Sequence, residues 1–191
     1  MRCEEVSFKI KNKVHNVQSK GYYVAGKSIP EVKAELKRLL DEGIIEYSRS
    51  YYSSPAFIVR KKNNKVRLVL DYKKMNEFLY DDAYQIPNIE YNIRNMGENR
   101  FFSTIDLKNG FNQIPLSYES RKYTAFMVMG QQYQYKMLPF GIKPVPKIFQ
   151  RQLAEILRNI ENCFVYIDAI VIYSKSEKNI LCCWKKYSID Y

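Results

Sequence analysis

The stretch from Cys163 to Tyr173 reads CFVYIDAIVIY and is the most continuous apolar run in the chain. It is of strand length and shorter than the roughly 18 residues that a membrane span needs. Asp168 interrupts the run near its middle, which predicts a β-hairpin with this carboxylate at its centre. Burying a lone carboxylate among apolar side chains costs several kcal/mol. We therefore interpret Asp168 as paired or bound to a cation.

A second carboxylate ends an apolar stretch upstream. Phe101 to Asp106 reads FFSTID, which predicts a short buried strand ending on Asp106. If two strands bring Asp106 and Asp168 side by side, the carboxylates repel each other unless a divalent cation lies between them. Mg²⁺ prefers such oxygen ligands, and two-metal phosphoryl transfer uses them. Taken alone, each aspartate is also compatible with an ordinary turn or a salt bridge.

Helices and strands alternate along the rest of the chain. Ser28 with Glu31 predicts a capping box for a first helix that Gly43 ends, and Pro146 opens a second helix. Two strand pairs are predicted, and the first is a hairpin with a basic tip: residues 56–60 with 66–71, and 123–129 with 132–137. This mixture predicts an α+β fold.

The composition describes a globular protein with a strong positive charge. The chain has 191 residues, 46% of them hydrophobic, and a formal net charge of +11. These values exclude collagen, low-complexity disorder and a disulfide scaffold. A basic domain of this size attracts polyanions, although a basic protein without a nucleic-acid partner fits the charge as well.

The cysteines and the N-terminus bear on the compartment. The chain has four cysteines and one histidine, His15, without a Cys-x-x-Cys pair, so no zinc site has ligands at workable spacing. Free thiols in a reducing compartment are therefore expected. The charged N-terminus does not resemble a signal peptide. We expect a soluble intracellular protein, cytoplasmic or nuclear, without a membrane partner.

Five sequence motifs follow one another between residues 21 and 178. They are LDEGII (40–45) with SSP (53–55), VRLVLDY (66–72) with Asn76, FSTIDLKNGFNQI (102–114), LPFGIK (138–143) with Pro146, Phe149 and Gln150, and YIDA (166–169). In this order and at this spacing they resemble the motifs of reverse transcriptases from Ty3/gypsy-type LTR retrotransposons. Any one of them is a weak signal, whereas the ordered set is strong.

The resemblance implies a reverse-transcriptase-like fold of fingers and palm, an α+β arrangement of mixed or antiparallel sheet with packed helices. It divides the chain into an N-terminal arm (1–20), fingers with the start of the palm (21–100), palm (101–178) and an unmatched tail (179–191). The resemblance stops near Lys178, so we expect the thumb to be missing.

The resemblance also implies a metal site. Asp106 and Asp168 match the family's catalytic aspartates, and the backbone carbonyl of Leu107 faces a metal. Two Mg²⁺ ions are the family's cofactor. The YxDD box reads YIDA here, so Ala169 stands in place of the second aspartate.

A nucleotide pocket is implied by the same motifs. Phe111 matches the gate residue that excludes a ribose 2′-hydroxyl, and Arg67 and Lys61 match fingers side chains that grip the triphosphate. Phe140 and Gly141 match residues that line the pocket and contact the template. Arg67 as a solvated strand charge, and Phe140 as ordinary core, remain alternatives.

The implied function is that of an RNA-directed DNA polymerase, a nucleotidyltransferase domain of a retrotransposon Pol polyprotein. Its partners are an RNA or DNA template with primer and deoxynucleoside triphosphates. Because Ala169 removes a carboxylate, we expect impaired catalysis, and the alternative is an inactive truncated relic that only binds nucleic acid or a partner subunit. The palm of an RNA-directed RNA polymerase is disfavoured by Phe111 and the LPFG segment. An α+β domain without polymerase ancestry is the remaining alternative.

Overall fold

The computed structural model describes residues 3–11, 17–19, 21, 24–60 and 66–180. The chain forms two compact units, each assembled from two separate stretches of sequence. Unit 1 comprises Met1–Asp82 and Phe111–Val145, and unit 2 comprises Ala83–Gly110 and Pro146–Tyr191. The division into arm, fingers, palm and tail stays a prediction.

The elements follow the mixed order expected from the sequence. The α-helices are α1 (Ile29–Asp41), α2 (Lys73–Phe78), α3 (Ile89–Asn95), α4 (Tyr118–Arg121) and α5 (Val145–Ile156). The strands are β1 (Ile45–Tyr47), β2 (Ser54–Arg60), β3 (Val66–Leu70), β4 (Phe101–Asp106), β5 (Phe126–Val128), β6 (Gln131–Tyr135), β7 (Cys163–Tyr166) and β8 (Ala169–Ser174). Short 3₁₀ turns cover Gly26–Ser28, Gly110–Gln113 and Lys122–Thr124. No helix of the described residues is both long and apolar enough to cross a membrane.

Unit 1 contains a five-stranded sheet in the order β1-β6-β5-β2-β3. Both predicted strand pairs are antiparallel neighbours in it, and β2 with β5 is its parallel pair. The predicted basic tip of the β2–β3 hairpin lies outside the described residues. The buried side chains of α1 and this sheet form one core: Val32, Leu36, Leu39, Ile44, Ile45, Ala56, Phe126, Val128 and Tyr133.

The predicted capping box at α1 is wrong. The Ser28 side chain makes no capping hydrogen bond, because Ser28 ends a 3₁₀ turn with helical backbone angles. Its hydroxyl instead accepts a hydrogen bond from Arg60 Nη2 at 3.2 Å, and Arg60 also pairs with Glu31 at 3.5 Å. Gly43 follows the helix with φ +67°, as the C-terminal signal predicts.

The N-terminal segment packs on unit 1 without forming a regular strand. Val6 and Phe8 are buried, and isolated bridges join Val6 to Leu116 and Ile10 to Leu79. The described cysteines, Cys3 and Cys163, are free thiols; the other two cysteines and His15 lie outside the described residues.

Unit 2 contains a three-stranded antiparallel sheet in the order β4-β8-β7. The predicted hairpin is confirmed, with β7 and β8 paired from Cys163↔Ile172 to Tyr166↔Ala169. The core of this unit consists of buried side chains from β7 and β8, from the residue that follows α5 and from the residues after β8. These side chains are Leu157, Val165, Ile170, Ile172 and Ile180.

Candidate active site

The sheet of unit 2 brings the two predicted catalytic aspartates together. Asp106 ends β4 and pairs in register with Ala169, the first residue of β8. Asp168 precedes Ala169 in the hairpin turn, and its carbonyl oxygen accepts a hydrogen bond from the Leu107 amide at 3.2 Å. The two aspartates therefore lie at the same end of the sheet, Asp106 at the end of β4 and Asp168 in the turn that joins β7 to β8.

Both aspartates are exposed, which corrects the burial argument made from the sequence. Asp168 occupies a two-residue turn rather than a strand interior, and β4 is an outer strand whose described residues alternate between exposed and half-buried. Apolar neighbours in sequence thus do not bury these carboxylates. Their proximity, and not a desolvation penalty, is the observation that points to a cation.

The hairpin turn is strained and is held by one buried amide. Ile167 has φ +56°, a left-handed conformation that is unfavourable for a β-branched residue. The Ile167 amide donates to Gln150 Oε1 at 2.6 Å, and Gln150 Nε2 donates to the Val165 carbonyl at 2.8 Å. Gln150 is only 1% exposed, so these bonds form away from water. Helix α5 thereby fixes the backbone on both sides of Tyr166, next to Asp168.

The Leu107 carbonyl belongs to a tight turn that follows β4. This oxygen accepts a hydrogen bond from the Gly110 amide at 3.1 Å, so only its second lone pair remains for a metal. A Cβ on Gly110 would lie 2.7 Å from the Phe149 ring and 3.3 Å from Leu107 Cβ. Glycine is therefore required where this turn packs against α5.

In unit 1, three predicted nucleotide-binding residues form a stack. The guanidinium carbon of Arg67 lies 5.6 Å from the centre of the Phe140 ring, a cation–π distance. The centres of the Phe140 and Phe111 rings are 4.7 Å apart, and the ring planes are tilted by 43°. Phe140 is 43% exposed while Phe111 is 7% exposed, so Phe140 offers a ring to solvent and Phe111 supports it from within. Phe140 is thus not a core residue.

A second amide clamp holds the loop that bears Phe140. Asn76 Nδ2 donates to the Gly141 carbonyl at 2.9 Å, and Asn76 Oδ1 accepts from the Lys143 amide at 2.8 Å. Gly141 has φ +89°, which few other residues adopt. A Cβ there would meet the ring of Tyr72, whose burial raises its pKa well above the ordinary value. The loop therefore rests on a neutral, fully buried tyrosine.

Sequence reasoning found the charged and aromatic residues of these two clusters but not their supports. Gln150 and Asn76 belong to the quoted motifs, but their residue types indicate no structural role. Only their positions in the motifs could have drawn attention to them. Lys61 lies outside the described residues, so its predicted role is neither supported nor contradicted.

The donor set of the aspartate cluster suits Mg²⁺. Among the described residues no three His, Cys, Asp or Glu side chains come together as a metal cage. Two carboxylates with a nearby carbonyl oxygen are instead what a cation needs when it also binds water and substrate phosphates. The residues present therefore fit Mg²⁺ better than a metal that requires a closed protein site.

Comparisons with known proteins agree with the quoted motifs. Residues 59–188 match the family model described as reverse transcriptase (RNA-dependent DNA polymerase), a match that continues past Lys178. The chain is 42% identical over 156 residues to the Pol polyprotein of transposon gypsy from Drosophila melanogaster, covering 78% of this chain and 15% of that protein. It is 40% identical over 174 residues to that of transposon 297, also from Drosophila melanogaster, covering 86% and 16%.

A solved structure shares the fold. The foamy viral protease-reverse transcriptase in complex with an RNA/DNA hybrid has a TM-score of 0.82 and 26% sequence identity, and the match covers 97% of this chain and 25% of that chain. This confirms the predicted α+β fingers-and-palm class, and the chain spans about a quarter of the length of that structure. The chain therefore belongs to the reverse transcriptase family, with relatives among the Pol polyproteins of gypsy-type LTR retrotransposons.

Proposed function

We propose that this chain takes part in template-directed DNA synthesis as the fingers and palm of a reverse transcriptase. The observation behind the proposal is the register of β4 with β8, which sets Asp106 beside the turn that bears Asp168. The foamy viral relative bound to an RNA/DNA hybrid supports an RNA or DNA template with primer as the partner. The net charge of +11 favours such a partner.

The two aspartates would hold Mg²⁺, with the Leu107 carbonyl as a further oxygen donor. When bound, Mg²⁺ would lower the pKa of the primer 3′-hydroxyl and neutralise charge on the departing pyrophosphate. The chain's own contribution is to fix Asp106 at the end of β4, beside the turn that bears Asp168. The Gln150 clamp would hold the turn that bears Asp168 in place.

The stack of Arg67, Phe140 and Phe111 would receive the deoxynucleoside triphosphate. A guanidinium held over an aromatic face keeps its planar fork of N–H donors free for phosphate oxygens. Arg67 is exposed and makes no ion pair with a described carboxylate. Phe111, fixed beneath Phe140, would be the group that excludes a ribose 2′-hydroxyl.

Catalysis is proposed to be impaired because Ala169 lies opposite Asp106. A second turn aspartate at position 169 would add a third carboxylate to the site, and alanine contributes none. The same observation favours the second candidate function, a domain that binds primer–template without extending it. The two candidates differ in turnover and not in binding.

Binding and extension of a primer–template test the proposal together. Asp106→Asn is expected to leave duplex affinity unchanged and to remove residual Mg²⁺-dependent extension, because it takes away a metal-binding charge from an exposed site. Affinity would be measured by filter binding at two salt concentrations, and extension on an RNA template. Salt-dependent binding without extension supports the binding domain, whereas absence of both overturns the proposal.

Asn76→Ala is expected to raise the KM for deoxynucleotides about threefold to tenfold, with a smaller change in kcat. The substitution leaves the Gly141 carbonyl and the Lys143 amide without their partner, at a cost of about 1 kcal/mol each. The Phe140 loop then loses its fixed position under Arg67. Single-nucleotide extension kinetics in an extension-competent background, with Asn92→Ala on α3 as an amide-matched control, measure the effect. An unchanged KM would contradict this role.

A further inference from the structure

A loop in unit 1 presents an arginine and a tyrosine to solvent. Along residues 48–52 the side chains alternate: Ser48 is buried and Ser50 and Tyr52 are half-buried, whereas Arg49 and Tyr51 are exposed. Tyr51 is 75% exposed, so its ring contributes little to folding. Arg49 forms no ion pair with any carboxylate in the described part of the chain.

The inward side of this loop is fixed by hydrogen bonds. Ser48 Oγ accepts from the Ser50 amide at 3.1 Å, and Ser50 Oγ accepts from the Tyr52 amide at 3.0 Å. Gln132 Nε2 donates to the carbonyls of Ser50 and Tyr52 at 3.0 and 2.9 Å. Ser50 Oγ in turn donates to the Lys122 carbonyl at 2.8 Å. Arg49 and Tyr51 are therefore displayed by a rigid backbone.

The loop forms one wall of an open cleft of about 650 Å³. The opposite wall is the N-terminal segment at Gln18 and Ser19, which pairs with Ser53 in a parallel bridge. The hydroxyls of Ser19 and Ser53 are buried there and have no hydrogen-bond partner among the described residues. Ser53 is only 6% exposed, so it anchors the inner side of the loop and does not project into solvent.

The segment can approach because Gly21 lacks a side chain. A Cβ on Gly21 would lie 3.1 Å from the carbonyl oxygen of Met127 on β5. Met127 is itself 39% exposed and lines the cleft. The described residues that line the cleft include polar and apolar side chains and one cation, Arg49, and no carboxylate is among them.

We propose that this cleft binds single-stranded nucleic acid, with a base stacked on Tyr51 and a phosphate held by Arg49. Residues two apart on an extended chain are about 7 Å apart, comparable to the spacing of successive phosphates in an extended single strand. An exposed aromatic ring beside a cation is the combination that single-strand binding proteins use without sequence preference. The ammonium of Lys122, over the Tyr123 ring at 5.1 Å, adds a second positive charge near the loop.

The inference rests on the proposed function in that the template provides such a strand. It goes further by assigning a separate site, with residues outside both the aspartate cluster and the Arg67 stack. Because Arg49 and Tyr51 are exposed, replacing them leaves the core of unit 1 intact.

Fluorescence anisotropy with labelled strands of about 12 nucleotides, single-stranded RNA and DNA beside a duplex of equal length, tests the site. Tyr51→Ala is expected to weaken single-strand binding about tenfold, and Tyr51→Phe is expected to retain it. Arg49→Ala is expected to reduce the slope of log K against log salt by about 0.7. Tyr91→Ala on α3 is the matched control, because Tyr91 is 66% exposed and is not among the residues that line the cleft.

The outcomes separate this inference from the proposed function. If Tyr51→Ala binds single strands as the unaltered chain does, or loses no more affinity than Tyr91→Ala, the cleft is not a strand site even though duplex binding persists. If the unaltered chain binds the duplex but neither single strand, the inference fails and the proposed function stands. If it binds no nucleic acid at all, both fail.

Discussion

Ala169→Asp is expected to raise the rate of Mg²⁺-dependent primer extension by about a hundredfold to a thousandfold. Residue 169 pairs with Asp106 in register, and directly opposed residues of an antiparallel pair share a face with Cβ atoms about 5 Å apart. The new carboxylate would therefore stand beside that of Asp106 and next to Asp168 in sequence. A third carboxylate ligand worth about 3–4 kcal/mol in the transition state corresponds to that factor.

The control for this prediction is Ala169→Asn, because asparagine has nearly the same size as aspartate but carries no charge. Extension on an RNA template would be followed with Mg²⁺ and with Mn²⁺, alongside filter binding to confirm that both variants hold the duplex equally. We expect the asparagine variant to resemble the unaltered chain. Equal rates for the alanine and aspartate chains would show that position 169 does not limit catalysis.

The pairing of strands that follow one another in the chain could be predicted, because it depends on local sequence patterns. The β5–β6 connection has Met129 and Gly130 at positive φ, and glycine is the usual residue for such a turn. The β7–β8 hairpin could be located from the single polar interruption at Asp168. Both signals depend on a few neighbouring residues, so one sequence suffices to find them.

The exposure of the aspartates could not be predicted in the same way. The sequence of an apolar strand does not indicate which end or face of the strand is covered by another layer of the fold. Here β4 is an outer strand of its sheet. The same limit explains the capping box, where Arg60, 32 residues away in sequence, binds the Ser28 hydroxyl. Long-range partners of this kind leave no periodic pattern.

The two amide clamps illustrate what the resemblance adds and what it omits. Motif similarity pointed to Arg67, Phe111 and Phe140 by type, and the structure places their rings and guanidinium in one stack. The roles of Asn76 and Gln150 depend on backbone groups, which every residue possesses, so residue type alone did not indicate them. Supports of this kind are defined only by the folded structure.

Gln150→Leu is expected to lower the free energy of unfolding of unit 2 by about 2–4 kcal/mol, because it strands two backbone groups that are now paired. The Ile167 amide and the Val165 carbonyl lose the partners that hold them at 2.6 and 2.8 Å. The turn would then relax from the φ of +56° at Ile167, and Asp168 would move away from Asp106. In the Ala169→Asp background we therefore expect extension to fall by more than tenfold.

Rescue distinguishes a positioning role for Gln150 from simple loss of packing. Glycine adopts a positive φ without strain, so Ile167→Gly is expected to restore about 1–2 kcal/mol to the Gln150→Leu protein and part of its extension rate. Gln150→Glu keeps an acceptor for the Ile167 amide but loses the donor to Val165. Its free energy of unfolding and its extension rate are therefore expected to lie between those of the Gln150→Leu protein and those of the protein with Gln150. Urea unfolding and single-nucleotide extension measure both effects. If Ile167→Gly rescues neither quantity, Gln150 contributes packing alone, and the strained turn does not depend on its amide.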